Sequence, residues 1–145
     1  MRNSIDALDA IGTRAKLEMR GGRTRKVYHQ PELEEQAALI KWAAMATVNG
    51  IRPGRYLIHI PNEGKRGPKA AADAKRLGMR AGVSDLLLAL PCGGYAGLWI
   101  EMKAAGGKPT PGQLEWQELM RSAGYRAEIC YGFDAARAEI EEYLS

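Results

Sequence analysis

Two apolar runs, joined by a segment rich in turn-forming residues, constrain the fold of this 145-residue chain more than any other feature. The first run, Asp85–Leu90, opens on an acid, and the second, Leu98–Lys103, alternates polar and apolar residues towards its end. Both have the length and composition of β-strands. Residues 91–97 between them contain a proline and three glycines, so we expect the two runs to form an antiparallel hairpin.

This hairpin would bring three charged residues together. The start of the first strand lies beside the end of the second, which places Asp85 next to Glu101, and Glu101 and Lys103 share a face because side chains alternate along a strand. Charges on such apolar strands are costly unless they are paired or bind a metal. Two carboxylates suit Mg²⁺ or Mn²⁺, and a lysine can activate water or offset charge on a phosphate. The spacing therefore predicts a metal-dependent nuclease, although an ordinary Glu101–Lys103 ion pair, with Asp85 capping a turn, fits it as well.

Five short motifs follow one another from about residue 30 to the C-terminus. They are Glu32-x-x-x-Gln36, His59–Gly64, Gly78–Asp85, Ile100–Lys103 and Lys108–Gln113. In this order they resemble the virus-type replication-repair nuclease (VRR-NUC) domain, a branch of the PD-(D/E)XK nuclease superfamily. One position departs from the family pattern, because Ser84 stands where a proline usually precedes the first catalytic aspartate. That proline chiefly shapes the backbone, so the metal chemistry would be unaffected.

The resemblance implies a role for each site residue. By this resemblance, the metal ligands are Asp85, Glu101 and the backbone carbonyl of Met102, and Lys103 is the catalytic lysine. The resemblance also implies that Glu32 is an additional acid on a helix and that Gln113 supports the site from the following helix.

The helix-borne acid is open to a second interpretation. Glu32, Glu35 and Gln36 lie within one helical turn and share a face, whereas Glu34 lies off it. We rank Glu32 first and Glu35 second as the metal ligand. Acids in a first turn also complement the helix dipole, with Pro31 at the first helical position, and both interpretations can hold together.

Basic charge is concentrated in two segments. Residues 1–28 carry seven Lys/Arg against three acids, a net of +4, and residues 52–80 carry eight against two, a net of +6. This distribution is expected of a surface that binds the phosphate backbone beside an active site. We expect residues 1–28 to be a flexible arm that is disordered or ordered by a partner. The candidate DNA-binding residues are Lys65, Arg66, Lys69, Arg76, Arg80 and Lys108.

Length and composition favour a single domain, residues 29–145, behind the basic arm. A hydrophobic content of 46% is enough for one core. No apolar run reaches the roughly 18 residues that span a bilayer, and the N-terminus lacks a secretory signal, so we expect an intracellular protein that binds no membrane. The only cysteines, Cys92 and Cys130, are too few for a disulfide framework or a zinc site, and we expect free thiols.

The predicted element order is helix, strand, helix, strand, strand, helix, strand, helix. It implies an α/β fold of the restriction-endonuclease-like type, with a mixed central β-sheet flanked by helices. The first helix carries four apolar residues near one side and ends around Asn49–Gly50. The predicted ranges are 30–48, 55–60, 69–77, 85–90, 98–103, 111–123, 125–131 and 133–144.

Histidine and tryptophan residues are expected to be structural. His59 is more often a satisfied structural residue than a ligand in such a place, and with His29 as the only other histidine a His-based metal site is unfavoured. We expect Trp42, Trp99 and Trp116 to form core or dimer contacts rather than stacking platforms for bases.

The resemblance implies an endonuclease for branched DNA such as four-way junctions, of the kind used in DNA repair, in a bacterium or phage-infected host. It also implies a homodimer, since symmetric cutting of a junction needs two active sites. Two alternatives stay open from the residues: a non-catalytic nucleic-acid-binding module with a nuclease fold, and an RNA-processing nuclease with the same metal chemistry.

Overall fold

A mixed four-stranded sheet with helices on both faces forms the body of the protein. The structure, a computed structural model, describes residues 15–20, 23–28, 31–62 and 67–145. We number its elements along the chain. They are β1 Ala15–Arg20, β2 Arg23–Tyr28, α1 Pro31–Met45, β3 Leu57–His59, α2 Pro68–Arg76, β4 Leu86–Leu88, β5 Leu98–Lys103, α3 Pro111–Ser122, β6 Arg126–Tyr131 and α4 Phe133–Tyr143.

The sheet has the order β3-β4-β5-β6, antiparallel in its first two pairs and parallel between β5 and β6. Parallel neighbours need a crossover connection, and α3 supplies it. The predicted α/β class and hairpin are confirmed, and the predicted ends of β5 are those observed. The first predicted strand of the hairpin, Asp85–Leu90, shortens to three residues, Leu86–Leu88.

The core lies between the sheet and two helices. Leu86, Leu88, Leu98, Ile100 and Met102 belong to one buried cluster with Leu39 and Ala43 of α1 and Ala136 and Ile140 of α4. On the opposite face, Trp99 of β5 meets Trp116 of α3 edge to face, with ring centroids 5.2 Å apart. Because β5 is covered on both faces, all six of its residues are buried, including Glu101 and Lys103.

Helix α1 buries a different side from the one that its apolar spacing marks. Leu39 and Ala43 are buried, whereas Leu33 and Ile40 are exposed.

Among the described residues, the structure contains no helix with the length and apolar character of a membrane span.

The basic segment 1–28 contains two described strands. β1 and β2 are paired antiparallel, with Ala15 opposite Tyr28 and Arg20 opposite Arg23. Paired strands satisfy each other's backbone N–H and C=O groups. Residues 1–14 and 21–22 lie outside the described residues, and both the flexible arm and the division of the chain near residue 28 stay predictions.

Both cysteines are free thiols, as predicted, in different surroundings. Burial, followed by the negative charges of Glu139 and Glu128, raises the pKa of the Cys130 thiol to about 12. At pH 8 the reactive thiolate of Cys130 is therefore scarce.

We expect a thiol reagent such as DTNB at pH 8 to modify Cys92, which is half-buried, and to leave Cys130 untouched in the native protein. Both thiols should react once the chain is unfolded in guanidinium. Equal reaction rates for the two native thiols would contradict this assignment.

Candidate active site

The rim of the β4–β5 hairpin brings Asp85 and Glu101 together, as the sequence predicted. Leu86 pairs with Ile100, so the next positions outward are Asp85 on one strand and Glu101 on the other. The backbone N–H of Met102 donates to Oδ2 of Asp85 at 2.8 Å, which fixes the carboxylate against β5. Asp85 and Glu101 are 5% and 1% exposed, so both acids lie inside the protein at the end of a covered sheet.

Glu32 of α1 completes a cluster of three acids. One carboxylate oxygen from each of Glu32, Asp85 and Glu101 lies within 4.8 Å of the other two. Mg²⁺ binds oxygen at about 2.0–2.1 Å, so two ligand oxygens on one ion stand at most about 4.2 Å apart. The three oxygens, all within 4.8 Å of one another, are thus clustered on the scale of one coordination sphere. This set of hard oxygen donors therefore fits a divalent cation of the Mg²⁺ or Mn²⁺ type.

Glu35, the second choice for this position, has another role. Its Oε2 accepts a hydrogen bond of 2.6 Å from the backbone N–H of Phe133, the first residue of α4. A carboxylate there satisfies an orphan helix donor and complements the helix dipole. The two acids that the spacing left equivalent are thus separated in space, with Glu32 in the acidic cluster and Glu35 at the start of α4.

The backbone of Met102 faces the same cluster. The N–H and C=O of a strand residue point to the same side, and the Met102 N–H is directed at Asp85. The neighbouring residue shows the complementary orientation, because the Lys103 carbonyl accepts from Gly132 N on the β6 side at 3.1 Å. The Met102 carbonyl is consequently directed towards the acids, where it can serve as a neutral oxygen ligand.

Lys103 places its ammonium group beside the acids. Its Nζ lies 3.5 Å from Oε1 of Glu101, and its side chain is 11% exposed. A buried ion pair of this kind loses much of its Coulomb attraction to desolvation, so it is weak evidence of a purely stabilising role. The ammonium therefore lies next to Glu101, one member of the acidic cluster.

Gln113 joins the site to the start of α3. Its Nε2 donates to Oε1 of Glu101 at 2.7 Å, and its Oε1 accepts from Thr110 N at 2.9 Å. The Thr110 Oγ1 in turn accepts from Gln113 N, which completes a capping box. One side chain thus caps a helix and fixes the orientation of Glu101.

We expect Gln113→Glu to impair the site more than its small change in shape suggests. The new carboxylate can still cap the helix, but it replaces the donor to Glu101 by a like charge in a buried position, at a cost of about 1–3 kcal/mol. The variant should therefore melt at a lower temperature than the parent, as followed by circular dichroism. A Gln113→Glu protein with an unchanged melting temperature would show that the contact between Gln113 and Glu101 contributes nothing to the buried cluster.

A second set of polar contacts supports Asp85 from its backbone. The Asp85 carbonyl accepts from Ile60 N at 2.8 Å and lies 2.9 Å from Nδ1 of His59, which is also 3.1 Å from Nε2 of Gln36. Gln36 is one turn beyond Glu32 on α1. The contacts therefore link the helix that carries Glu32 to the segment that carries Asp85, and they give His59 the structural partners expected of it.

The sequence interpretation missed one buried contact behind the site. Ser84 Oγ accepts from Nε2 of Gln117 at 2.8 Å, and both residues are 1% exposed. A signal was available, because Gln117 follows Gln113 by four residues and shares its helix face. The serine that replaces the usual proline is thus held by a hydrogen bond from α3, one residue before Asp85.

The candidate DNA-binding residues lie on the surface. Lys69, Arg76, Arg80 and Lys108 are exposed, whereas Lys65 and Arg66 lie outside the described residues. Arg76 is 3.6 Å from Asp73 in an exposed pair, and the Arg80 guanidinium stands over the Trp116 ring at 5.5 Å. Trp116 is thus enclosed between Trp99 and Arg80, as expected of a packing residue.

A mixed sheet with two acids and a lysine at the rim of its central hairpin, and a third acid from a flanking helix, defines a nuclease-type α/β domain. The model of the VRR-NUC domain family matches residues 31–134, and the chain belongs to that family. A solved structure described as a VRR_NUC domain protein is 30% identical, with a TM-score of 0.70, over 81% of this chain and 91% of its own. A search of the curated proteins finds no match. The predicted family is confirmed.

Proposed function

We propose that the protein is a divalent-metal-dependent endonuclease that hydrolyses phosphodiester bonds in DNA, with a preference for branched DNA such as four-way junctions. One observation carries the proposal: carboxylate oxygens of Glu32, Asp85 and Glu101 within 4.8 Å of one another, with Lys103 Nζ 3.5 Å from Glu101. A nuclease needs charge neutralisation where a phosphate gains charge, and this cluster supplies the groups for it.

The acids Glu32, Asp85 and Glu101, with the Met102 carbonyl, would hold Mg²⁺ or Mn²⁺. A bound ion of this kind polarises the phosphate and lowers the pKa of coordinated water. Asp85 is held by Met102 N–H and Glu101 by Gln113, so neither carboxylate has to reorganise when substrate arrives. Groups that are fixed in advance stabilise charge in the transition state better than water does, because water has to reorient around that charge.

Lys103 would act on the reacting phosphate. Its ammonium can orient the attacking water and offset the charge that builds on the phosphoryl oxygens. In the reaction, a bond forms between the water oxygen and phosphorus while the bond from phosphorus to one sugar oxygen breaks. The leaving oxygen takes up a proton, and the water gives one up.

The exposed cations Lys69, Arg76, Arg80 and Lys108 would bind the phosphate backbone on either side of the cluster. Lys65 and Arg66, from the same basic segment, are proposed for the same role on sequence grounds. Contacts of this type give affinity that falls with salt and carry no base sequence information. Selectivity for branched DNA would come from shape, and a homodimer would present two sites to the two strands of a junction.

Incubating the purified protein with labelled four-way junction, duplex DNA, single-stranded DNA and RNA, with Mg²⁺, Mn²⁺ or EDTA, tests the proposal. We expect metal-dependent cuts in DNA, fastest in the junction, and none in EDTA. Binding without cuts under every metal condition would identify a non-catalytic module, and cuts confined to RNA would identify an RNA-processing enzyme. Sedimentation of the protein, alone and with junction, measures the oligomeric state.

A further inference from the structure

A cleft beside the acidic cluster has the lining of a binding site for a nucleotide. It encloses about 700 Å³ between α2 and the segment that leads to Asp85. This volume lies within the range of about 300–1,000 Å³ that is usual for small-molecule sites. Its lining includes Asn62, Ala71, Ala74, Lys75, Met79 and Arg80.

The walls of the cleft are apolar and short, while its polar groups are cationic or amide. Ala71 and Ala74 stand one turn apart on α2, and Met79 closes the wall after the helix ends, with its N–H bonded to the Ala74 carbonyl at 2.9 Å. Lys75 and Arg80 add two positive charges, and none of the described residues that line the cleft is acidic. Such walls accept the flat apolar face of a base, and the cations suit the phosphates attached to it.

Arg80 is oriented before any ligand arrives. Its guanidinium stands over the Trp116 ring at 5.5 Å, and Trp116 packs edge to face on Trp99 of β5. A cation over an aromatic face is attracted by the ring quadrupole, and the stack reduces the rotamer entropy that binding would cost. The central sheet therefore holds the cation at the edge of the cleft.

Chain connectivity places the cleft close to the acids. The N–H of Ile60 donates to the Asp85 carbonyl, and Asn62 lies two residues after Ile60. Arg80 lies five residues before Asp85. An extended chain advances about 3.3–3.6 Å per residue, so these separations are at most about 7 Å and 18 Å. The cleft therefore adjoins the two segments that lead to Asp85 and contact its backbone, and a strand bound at the acids would pass close to it.

From these observations we propose that the cleft binds an unpaired nucleotide of the DNA strand that is cut. The inference rests on the proposed function and deepens it. A paired base is enclosed in the duplex stack and cannot reach the walls, whereas an unpaired base at a branch or flap can enter at little cost. Asn62 would hydrogen-bond the base edge, and Lys75 and Arg80 would bind the flanking phosphates. The cleft would thus favour DNA in which a nucleotide next to the scissile bond can leave the duplex stack, at a flap or at the crossover of a four-way junction.

Filling the cleft tests this proposal with a matched control on the same helix. Ala74→Leu puts a larger side chain on the cleft wall, whereas Ala72→Leu adds the same atoms at an exposed position of α2 that does not line the cleft. Dissociation constants are measured in EDTA, so that no strand is cut, for a duplex with a single-stranded flap and for the same duplex fully paired. We expect Ala74→Leu to weaken flap binding about tenfold, which corresponds to about 1.4 kcal/mol, and to leave duplex binding unchanged. Ala72→Leu should change neither.

Equal effects of Ala74→Leu on flap and duplex, or no effect on either, would overturn the proposal, as would a parent protein that binds the two DNAs equally. Lys75→Ala provides a second arm, because losing a phosphate contact should weaken flap binding and lower its salt dependence. Unchanged salt dependence would remove Lys75 from the site. Metal-dependent cleavage by the parent is scored separately, so a nuclease whose cleft discriminates nothing is distinguished from a protein that never cuts.

Discussion

Replacing Lys103 by methionine is expected to lower the maximal rate of DNA cleavage by about 10²–10³-fold, while the dissociation constant for uncut DNA in EDTA changes by less than about twofold. Lys103 Nζ is 3.5 Å from Glu101 Oε1 and its side chain is 11% exposed, so the variant removes one charge from the reaction site and little of the protein surface. Methionine keeps the length of the stem and its packing. The loss should therefore appear in the rate and not in substrate binding.

Lys41→Met is the matched control, since Lys41 is an exposed lysine of α1 that belongs to no candidate site. It should cleave DNA at the parental rate. Melting of both variants by circular dichroism establishes that they are folded, because the loss of Lys103 also removes a cationic neighbour from the buried Glu101. A folded Lys103→Met protein that cuts at full speed would exclude this lysine from the mechanism.

The hairpin and its charges could be predicted because they depend on local rules. A strand has a side-chain period of two, and an antiparallel partner reverses direction, so an acid that opens one strand must meet an acid near the end of the next. The spacing of Asp85, Glu101 and Lys103 therefore fixed their meeting before any tertiary contact was known. The same holds for α3, where Thr110 and Gln113 have the spacing of a capping box.

The ranking of Glu32 above Glu35 rests on the family resemblance, because helical periodicity alone does not distinguish them. The two residues are three positions apart and share a helix face, so helical periodicity treats them alike. Their roles differ because of a contact nearly a hundred residues further along the chain. The Phe133 N–H at the start of α4 donates a hydrogen bond to Glu35. Similarly, the apolar stripe of α1 does not reveal that Leu39 and Ala43 face the core, because the packing against β5 and α4 decides it.

Composition has the opposite limit. It shows that residues 1–28 are basic, but it carries no information on strand pairing such as that between Ala15–Arg20 and Arg23–Tyr28. The cleft next to Asp85 was also invisible, since its walls come from small residues that no motif marks. Local charge patterns thus predicted which side chains meet at the candidate site, whereas the space around it became apparent only in three dimensions.

Glu32→Gln should change the thermal stability of the protein in opposite directions with and without metal. Oxygens of the three carboxylates lie within 4.8 Å of one another, so like charges repel across the metal-free cluster even with Lys103 at 3.5 Å from Glu101. Neutralising Glu32, the least buried of the three, relieves that repulsion. In EDTA we expect a gain of about 1 kcal/mol, or about 2–4 °C in melting temperature.

With Mn²⁺ the order of the two melting temperatures should reverse. A ligand that binds only the folded state stabilises that state by an amount that grows with the ligand concentration, about 2.7 kcal/mol at a hundredfold excess over Kd. The parent should gain this stabilisation in full. Glu32→Gln, which lacks one charged ligand, should gain less.

Glu34→Gln is the matched control, because it removes the same charge from the same first turn of α1 but from an exposed position off the shared face. Its stability in EDTA should fall slightly, since an acid near the start of a helix interacts favourably with the helix dipole. Its stabilisation by Mn²⁺ should equal that of the parent. Melting curves of the three proteins in EDTA and in increasing Mn²⁺ measure both effects. If Glu32→Gln and Glu34→Gln respond alike, the trio of acids does not act as one metal site, and the proposed chemistry loses its foundation even where DNA is still bound.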